Sequence, residues 1–153
     1  MDLSIHAVFE ITVSVVPDDI DEMNHANNVC YIRWMQEAAV AHSTANGWGT
    51  PRYLELGSAW YARRHTVEYL APALLGDELI VRTWIADWKG VRSTRRYRFI
   101  RPKDGVVVAT AETCWAFVNL KTRRPVRIPD EVHRCFLVVG DEPESVDELT
   151  MDS

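Results

Sequence analysis

Asp19-Ile20-Asp21-Glu22-Met23-Asn24-His25-Ala26-Asn27-Asn28-Val29-Cys30-Tyr31-Ile32-Arg33-Trp34 is the stretch on which the fold of this chain turns. Acids, a histidine and three carboxamides crowd into a short polar loop, and the pattern then changes to helical spacing from about Asn28 to Ala45. Tyr31, Trp34, Met35, Ala38, Ala41 and Ala45 fall on one side, with Arg33, Gln36 and Glu37 on another. Ile32, Ala39 and Val40 widen the apolar surface, which predicts a helix wrapped by a sheet. Asn46-Gly47 supplies its stop, reinforced by Gly49 and Pro51. A carboxylate beside such a helix start can act on a carbonyl, because the first turn carries unpaired N–H groups and a partial positive charge.

Outward from this core the chain reads as strands. Residues 7–16 alternate apolar and polar with period two and end at Pro17. Beyond the helix, Ala59 to Leu70 leads through a Pro72…Gly76-Asp77 turn region to Glu78–Trp88. Arg92–Arg101 and Val106–Asn119 form a hairpin pair across Pro102-Lys103-Asp104-Gly105, where Asp-Gly is a strong turn signal. Cys135–Val139 gives a last short segment. One strand, one long helix and then consecutive strands on short loops predict an α+β class, an antiparallel sheet with a single helix against it.

The 153 residues suit one domain, and 47% hydrophobic content with six Trp provides a core. The net charge of −5 is concentrated in the tail: Asp141, Glu142, Glu144, Asp147, Glu148 and Asp152 stand there without a Lys or Arg, which leaves residues 1–140 at +1. We therefore expect a domain over 1–140 and a solvated acidic tail over 141–153. A near-neutral body argues against nucleic-acid binding. The absence of long apolar runs or a signal-like N-terminus predicts no membrane segment and a cytoplasmic protein. Cys30, Cys114 and Cys135 fit neither a disulfide framework nor a metal pattern.

Several residues are candidates for chemistry, each with a plainer role beside it. Asp21 is either a turn or helix cap or a reacting carboxylate near the edge of the core. His25 is a base, a hydrogen-bond donor to substrate or an ordinary loop residue. Asn27 and Asn28 suit helix capping. Cys30 and His42 lie too far apart on the helix to form a nucleophile pair. Lys89, Arg92, Arg95, Arg96 and Arg98 can grip phosphates or simply form a solvated strand face; Arg96 and Arg98 share one face, Tyr97 and Phe99 the other. No G-x-G-x-x-G, P-loop or H-E-x-x-H occurs, so metals and nucleotide cofactors of those types lack support.

Asp19-Ile20-Asp21, Asn24-His25-Ala26-Asn27-Asn28 and Tyr31-Ile32-Arg33-Trp34 stand in the order in which they resemble the hotdog-fold acyl-CoA thioesterases of the 4-hydroxybenzoyl-CoA thioesterase type. Val67–Ala73, Gly76–Leu79 and Thr122–Pro129 extend the likeness to roughly residues 8–130. Asn24 stands where that family has Gly, and Ala26 where it has Val. His25–Tyr31 is also similar to the plant acyl-carrier-protein thioesterases, although their catalytic Asn falls on Met23 here and is not carried over.

The resemblance implies a curved antiparallel sheet around one long helix, and homodimers or homotetramers with sites at the interface. It implies hydrolysis of an acyl-CoA or acyl-carrier-protein thioester, with medium- or long-chain and aromatic acyl groups all open, and without a cofactor. Asp21 would be the base or nucleophile, His25 would assist, and the backbone N–H around Asn28 would be the oxyanion donor. Asn24, Asn27, Tyr31, Arg92 and Arg95 would meet the substrate. Two rivals remain on the same fold: a hydratase or dehydratase pairing His25 with Asp21, and a non-catalytic acyl-thioester binder or sensor.

Overall fold

The computed structural model describes residues 5–143. In chain order the elements are β1 (Val8–Ser14), α1 (Asn28–Ala45), α2 (Thr50–Leu56), β2 (Ser58–Tyr69), β3 (Glu78–Lys89), β4 (Arg92–Arg101), β5 (Val106–Asn119) and α3 (Asp130–His133), with a 3-10 turn at Pro17–Asp19. The five strands make one sheet in the order β1-β3-β4-β5-β2, antiparallel throughout. This is the α+β hotdog arrangement the sequence predicts. Register shifts at Ala62/Arg64, Ile85/Asp87 and Phe99/Ile100 mark bulges. Each bends its strand and increases the local twist, which lets the sheet curl over the helix.

Tyr31, Trp34, Met35, Ala38 and His42 recur at helical spacing along α1, and all are buried. The first four pack on Leu79 and Val81 of β3, Tyr97 and Phe99 of β4, and Val108 and Ala109 of β5, while His42 stacks on Phe9 of β1. The small side chain of Ala38 lets the sheet approach the helix closely. Burying one of the large residues of this face contributes about 1.5–3 kcal/mol. The opposite side of α1, with Arg33, Gln36, Glu37 and Val40, remains exposed, so one protomer covers the helix on one face only. A second cluster at the other end joins Trp48, Tyr53, Phe117, Ile128, Val132 and Phe136.

Two local expectations change. Pro51 opens α2 instead of merely ending α1, because in a first helical turn its missing N–H is one that would have no intrahelical partner. α2 then closes on Gly57, whose φ of +84° a glycine adopts without strain. The segment 135–139 is not a strand: Val138 makes a single parallel bridge to Ile85. Residues 144–153 of the expected tail lie outside the described residues. Among those described, Asp141 and Glu142 pair with Arg96 and Arg98 at 3.4 and 2.8 Å. No helix among them is long and apolar enough to cross a membrane.

Candidate active site

An antiparallel bridge between Ile20 and Ala26 pinches residues 21–25 into a closed loop just before α1. Within it the Asp21 N–H donates to the His25 carbonyl (2.9 Å), and the Asn24 N–H donates to the Asp21 carbonyl (3.1 Å). Asp21 Oδ1 accepts from the amides of Met23 (2.9 Å) and His25 (3.2 Å). Its Oδ2 accepts no hydrogen bond from a described residue, so one carboxylate oxygen is fixed by the loop and the other is available. The turn requires a left-handed residue, and Asn24 supplies it at φ +62°. Asparagine is among the few non-glycine residues enriched there, which accounts for its standing in a glycine's place.

Asp19 has a different environment although only one residue separates it from Asp21. It is buried, and its Oδ1 accepts from Arg33 Nη2 at 2.8 Å while its Oδ2 accepts from the Val16 amide at 3.0 Å. Burial pushes its pKa up, but the Arg33 and Val16 hydrogen bonds and the Arg33 charge outweigh that and hold it below the ordinary value. The Cys30 thiol also lies against Asp19, and burial foremost raises its pKa, which leaves it a poor nucleophile. The Asp19 carbonyl receives the Asn27 N–H at 2.7 Å, so this cluster positions the helix start.

Asn27 is the N-cap of α1, its Oδ1 accepting from the Val29 amide at 3.0 Å. Cys30 N–H bonds the Asn27 carbonyl. The Asn28 N–H, first in the helix, has no acceptor among the described residues. Tyr69, which sequence reasoning passed over as the end of a strand, donates from its hydroxyl to the Asn28 carbonyl at 3.1 Å. Ala26 N–H bonds the Ala73 carbonyl at 2.8 Å, which ties the loop to the segment after β2. Asp21, Asn24, His25, Asn27 and Asn28 therefore meet at one loop–helix junction.

The other expected residues do not join them. Tyr31 is buried against Tyr69, Trp34 and Phe99, and burial foremost pushes its pKa up to about 12. Arg92 and Arg95 lie in the first half of β4, and from Phe99, which packs near the loop, roughly 23 Å of strand leads to Arg92 and roughly 13 Å to Arg95 within a protomer. Arg95 points inward with Tyr97 and Phe99, away from the solvated face that carries Arg96 and Arg98. No group of acids, histidines and cysteines among the described residues could hold a metal ion.

A hotdog sheet with a carboxylate loop at the head of its central helix defines a protein class, and the chain's relatives agree with it. The family description "Thioesterase-like superfamily" matches residues 15–136, and the chain belongs to that family. It is 30% identical over 134 residues to acyl-[acyl-carrier-protein] hydrolase FATB2, chloroplastic, of Cuphea viscosissima, which is 83% of this chain and 32% of that protein. The chain thus spans about a third of that relative's length. Its fold is similar to a 1,4-dihydroxy-2-naphthoyl-CoA thioesterase from Synechocystis (TM-score 0.77, 19% identity, 84% of this chain and 94% of that one). It is also similar to the gentisyl-coenzyme A thioesterase BH1999 (TM-score 0.73, 24% identity, 81% and 98%).

Proposed function

We propose that the protein hydrolyses acyl thioesters, with Asp21 as base or nucleophile and the α1 N-terminus as oxyanion site. One observation carries this reading: a carboxylate with one oxygen anchored by its own loop stands at a helix start whose first amide, that of Asn28, has no acceptor among the described residues. The thioester carbonyl would accept from that amide, where the helix start favours developing negative charge. Asp21 Oδ2 would then deprotonate the attacking water or attack directly to form an anhydride. CoA or an acyl-carrier protein is the leaving thiol, and both remain within the reading because the relatives include thioesterases named for each.

A homodimer, or a pair of dimers, would complete the site. Among the described residues β2 pairs only with β5 and leaves its other edge open, with Tyr61 and Tyr69 exposed on it. Such an edge is a template for pairing with a second copy. Unpaired cysteines are in keeping with a reducing, cytoplasmic setting.

Asp21 touches His25 through the latter's backbone amide and not through its imidazole. This favours hydrolysis over a hydratase dyad. Thiol release from short, medium, long and aromatic acyl-CoAs, and from acyl-carrier-protein thioesters, tests the reading in wild type and Asp21→Asn. Turnover that collapses in the variant supports it. Binding without release in both proteins would replace it with the sensor role.

A further inference from the structure

Among the described residues β1 pairs with β3 only as far as Trp84, opposite Val8, although β3 runs on to Lys89. Beyond that point residues 85–89 have a bare edge on that side, a template for another chain. The C-terminal segment covers its start: Val138 bridges to Ile85, and the Val139 N–H donates to the Ile85 carbonyl at 2.8 Å. Phe136 holds one end of the segment in the cluster around Trp48 and Val132. Gly140, at φ +110°, then turns the chain over the edge onto the outer face of the sheet, a conformation that favours glycine.

Strand alternation turns Trp84 outward, away from α1, onto the face that carries Arg96, Arg98 and Glu112. It is nonetheless only 3% exposed, because the segment and Arg98 cover it. Its indole N–H donates to the Gly140 carbonyl at 2.9 Å, and the Arg98 guanidinium lies 5.7 Å from its ring centre. Arg98 Nη2 donates to Glu142 at 2.8 Å, while Arg96 Nη2 stands 3.4 Å from Asp141 and 3.7 Å from Glu112. Each of these partly exposed pairs is weak by itself, so the backbone and indole bonds place the segment and the charges make its hold reversible. A groove of about 300 Å³ remains beside it, lined also by Thr66, Glu68 and Thr110. The buried Arg96 Nε has no acceptor among the described residues.

We propose that segment 136–142 is a strap that keeps a second copy of the chain off this outer face, and that its release lets two copies pair there face to face. The face is self-complementary in charge: Arg96 and Arg98 stand beside Glu68 and Glu112. A two-fold axis can therefore set the arginines of one copy against the glutamates of the other. Trp84, uncovered among them, is the kind of rigid aromatic anchor on which such contacts centre. A highly charged partner of a different kind would meet both signs at once. This contact is separate from pairing at the β2 edge and does not depend on the chemistry proposed at Asp21.

Light scattering on the full chain, with amide exchange read by mass spectrometry, tests the strap. Asp141 and Glu142 are both exposed, so reversing them leaves the core intact. Asp141→Arg with Glu142→Arg sets like charges against Arg96 and Arg98. Exchange over 136–142 should quicken at least about tenfold, and the molar mass should become twice that of wild type, whatever assembly wild type forms. Trp84→Phe, which removes only the donor to Gly140, should quicken the same amides. Glu142→Arg alone should loosen the strap in part, and adding Arg98→Glu, which restores the pair with reversed sign, should return exchange and mass toward wild type. Faster exchange with an unchanged mass overturns the proposal. So does growth into particles of no fixed mass, because a bare edge and not a paired face would then be at work. Exchange equal to wild type in every variant would show that these contacts hold no strap.

Discussion

The Arg33 guanidinium donates to the buried carboxylate of Asp19 at 2.8 Å, across 14 residues of chain. That bond joins the loop before α1 to the second turn of the helix, so the candidate site rests on an ion pair that takes no part in its chemistry. Asp19 and Asp21 thus divide the labour: one holds the junction, the other faces outward with an oxygen to spare.

Asp19→Ala should destabilise the protein by about 1–3 kcal/mol, the cost of leaving the Val16 amide and the Arg33 donor without their acceptor. Arg33→Met should cost less, because the arginine side chain is half exposed and the Val16 amide still serves Asp19. The Asp19 pKa is depressed in the fold, so its contribution is present above the unfolded carboxylate value and is lost as pH falls through the folded one. Urea unfolding of both variants checks the order; equal losses would show that the pair does not act as described.

Asp21→Asn should leave stability within about 0.5 kcal/mol of wild type, in the range for surface substitutions away from buried networks. The amide oxygen can accept the same bonds from Met23 and His25. Thioester hydrolysis should nonetheless fall by about 10²–10⁴, the usual contribution of a positioned acid or base. A variant that unfolds with the loss of activity would instead mark Asp21 as structural.

At Asn24 the left-handed φ of +62° sets the tolerance. Asn24→Gly should be nearly neutral, whereas Asn24→Val should cost about 1–2 kcal/mol, since a β-branched side chain clashes there. Thermal unfolding compares them directly, and a neutral valine would mean that the loop relaxes to another conformation.

Burial first, and then the Arg95 charge, depress the His42 pKa to about 3. In the unfolded chain His42 binds a proton at its ordinary value near 6.5, so the unfolded state takes up more protons between those two values. Stability should therefore decline as pH falls below 6.5, by up to on the order of 4 kcal/mol near pH 3. His42→Gln, which cannot titrate, should flatten that slope in urea midpoints measured from pH 7 to pH 4. Parallel slopes for the two proteins would rule His42 out as the source.

Much of this architecture was legible along the chain because the forces that set it are local. The limits of α1, the Asp104-Gly105 turn and the strands Arg92–Arg101 and Val106–Asn119 all follow from side-chain period, capping and turn chemistry. The grouping of Asp21 through Asn28 is equally local, since consecutive residues on a closed loop cannot separate. Tertiary structure decided what depends on neighbours distant in sequence. Asp19 differs from Asp21 because Arg33 and the core close over it. Pro51 begins a helix because Tyr53 finds Trp48 and Phe117 to pack against. Arg95 differs from Arg96 because the alternation of β4 and its pairing with β3 and β5 turn one side chain inward to His42 and the other out to Glu112. A run of arginines states the charge that is present, whereas burial and pairing are long-range properties that only the folded sheet assigns.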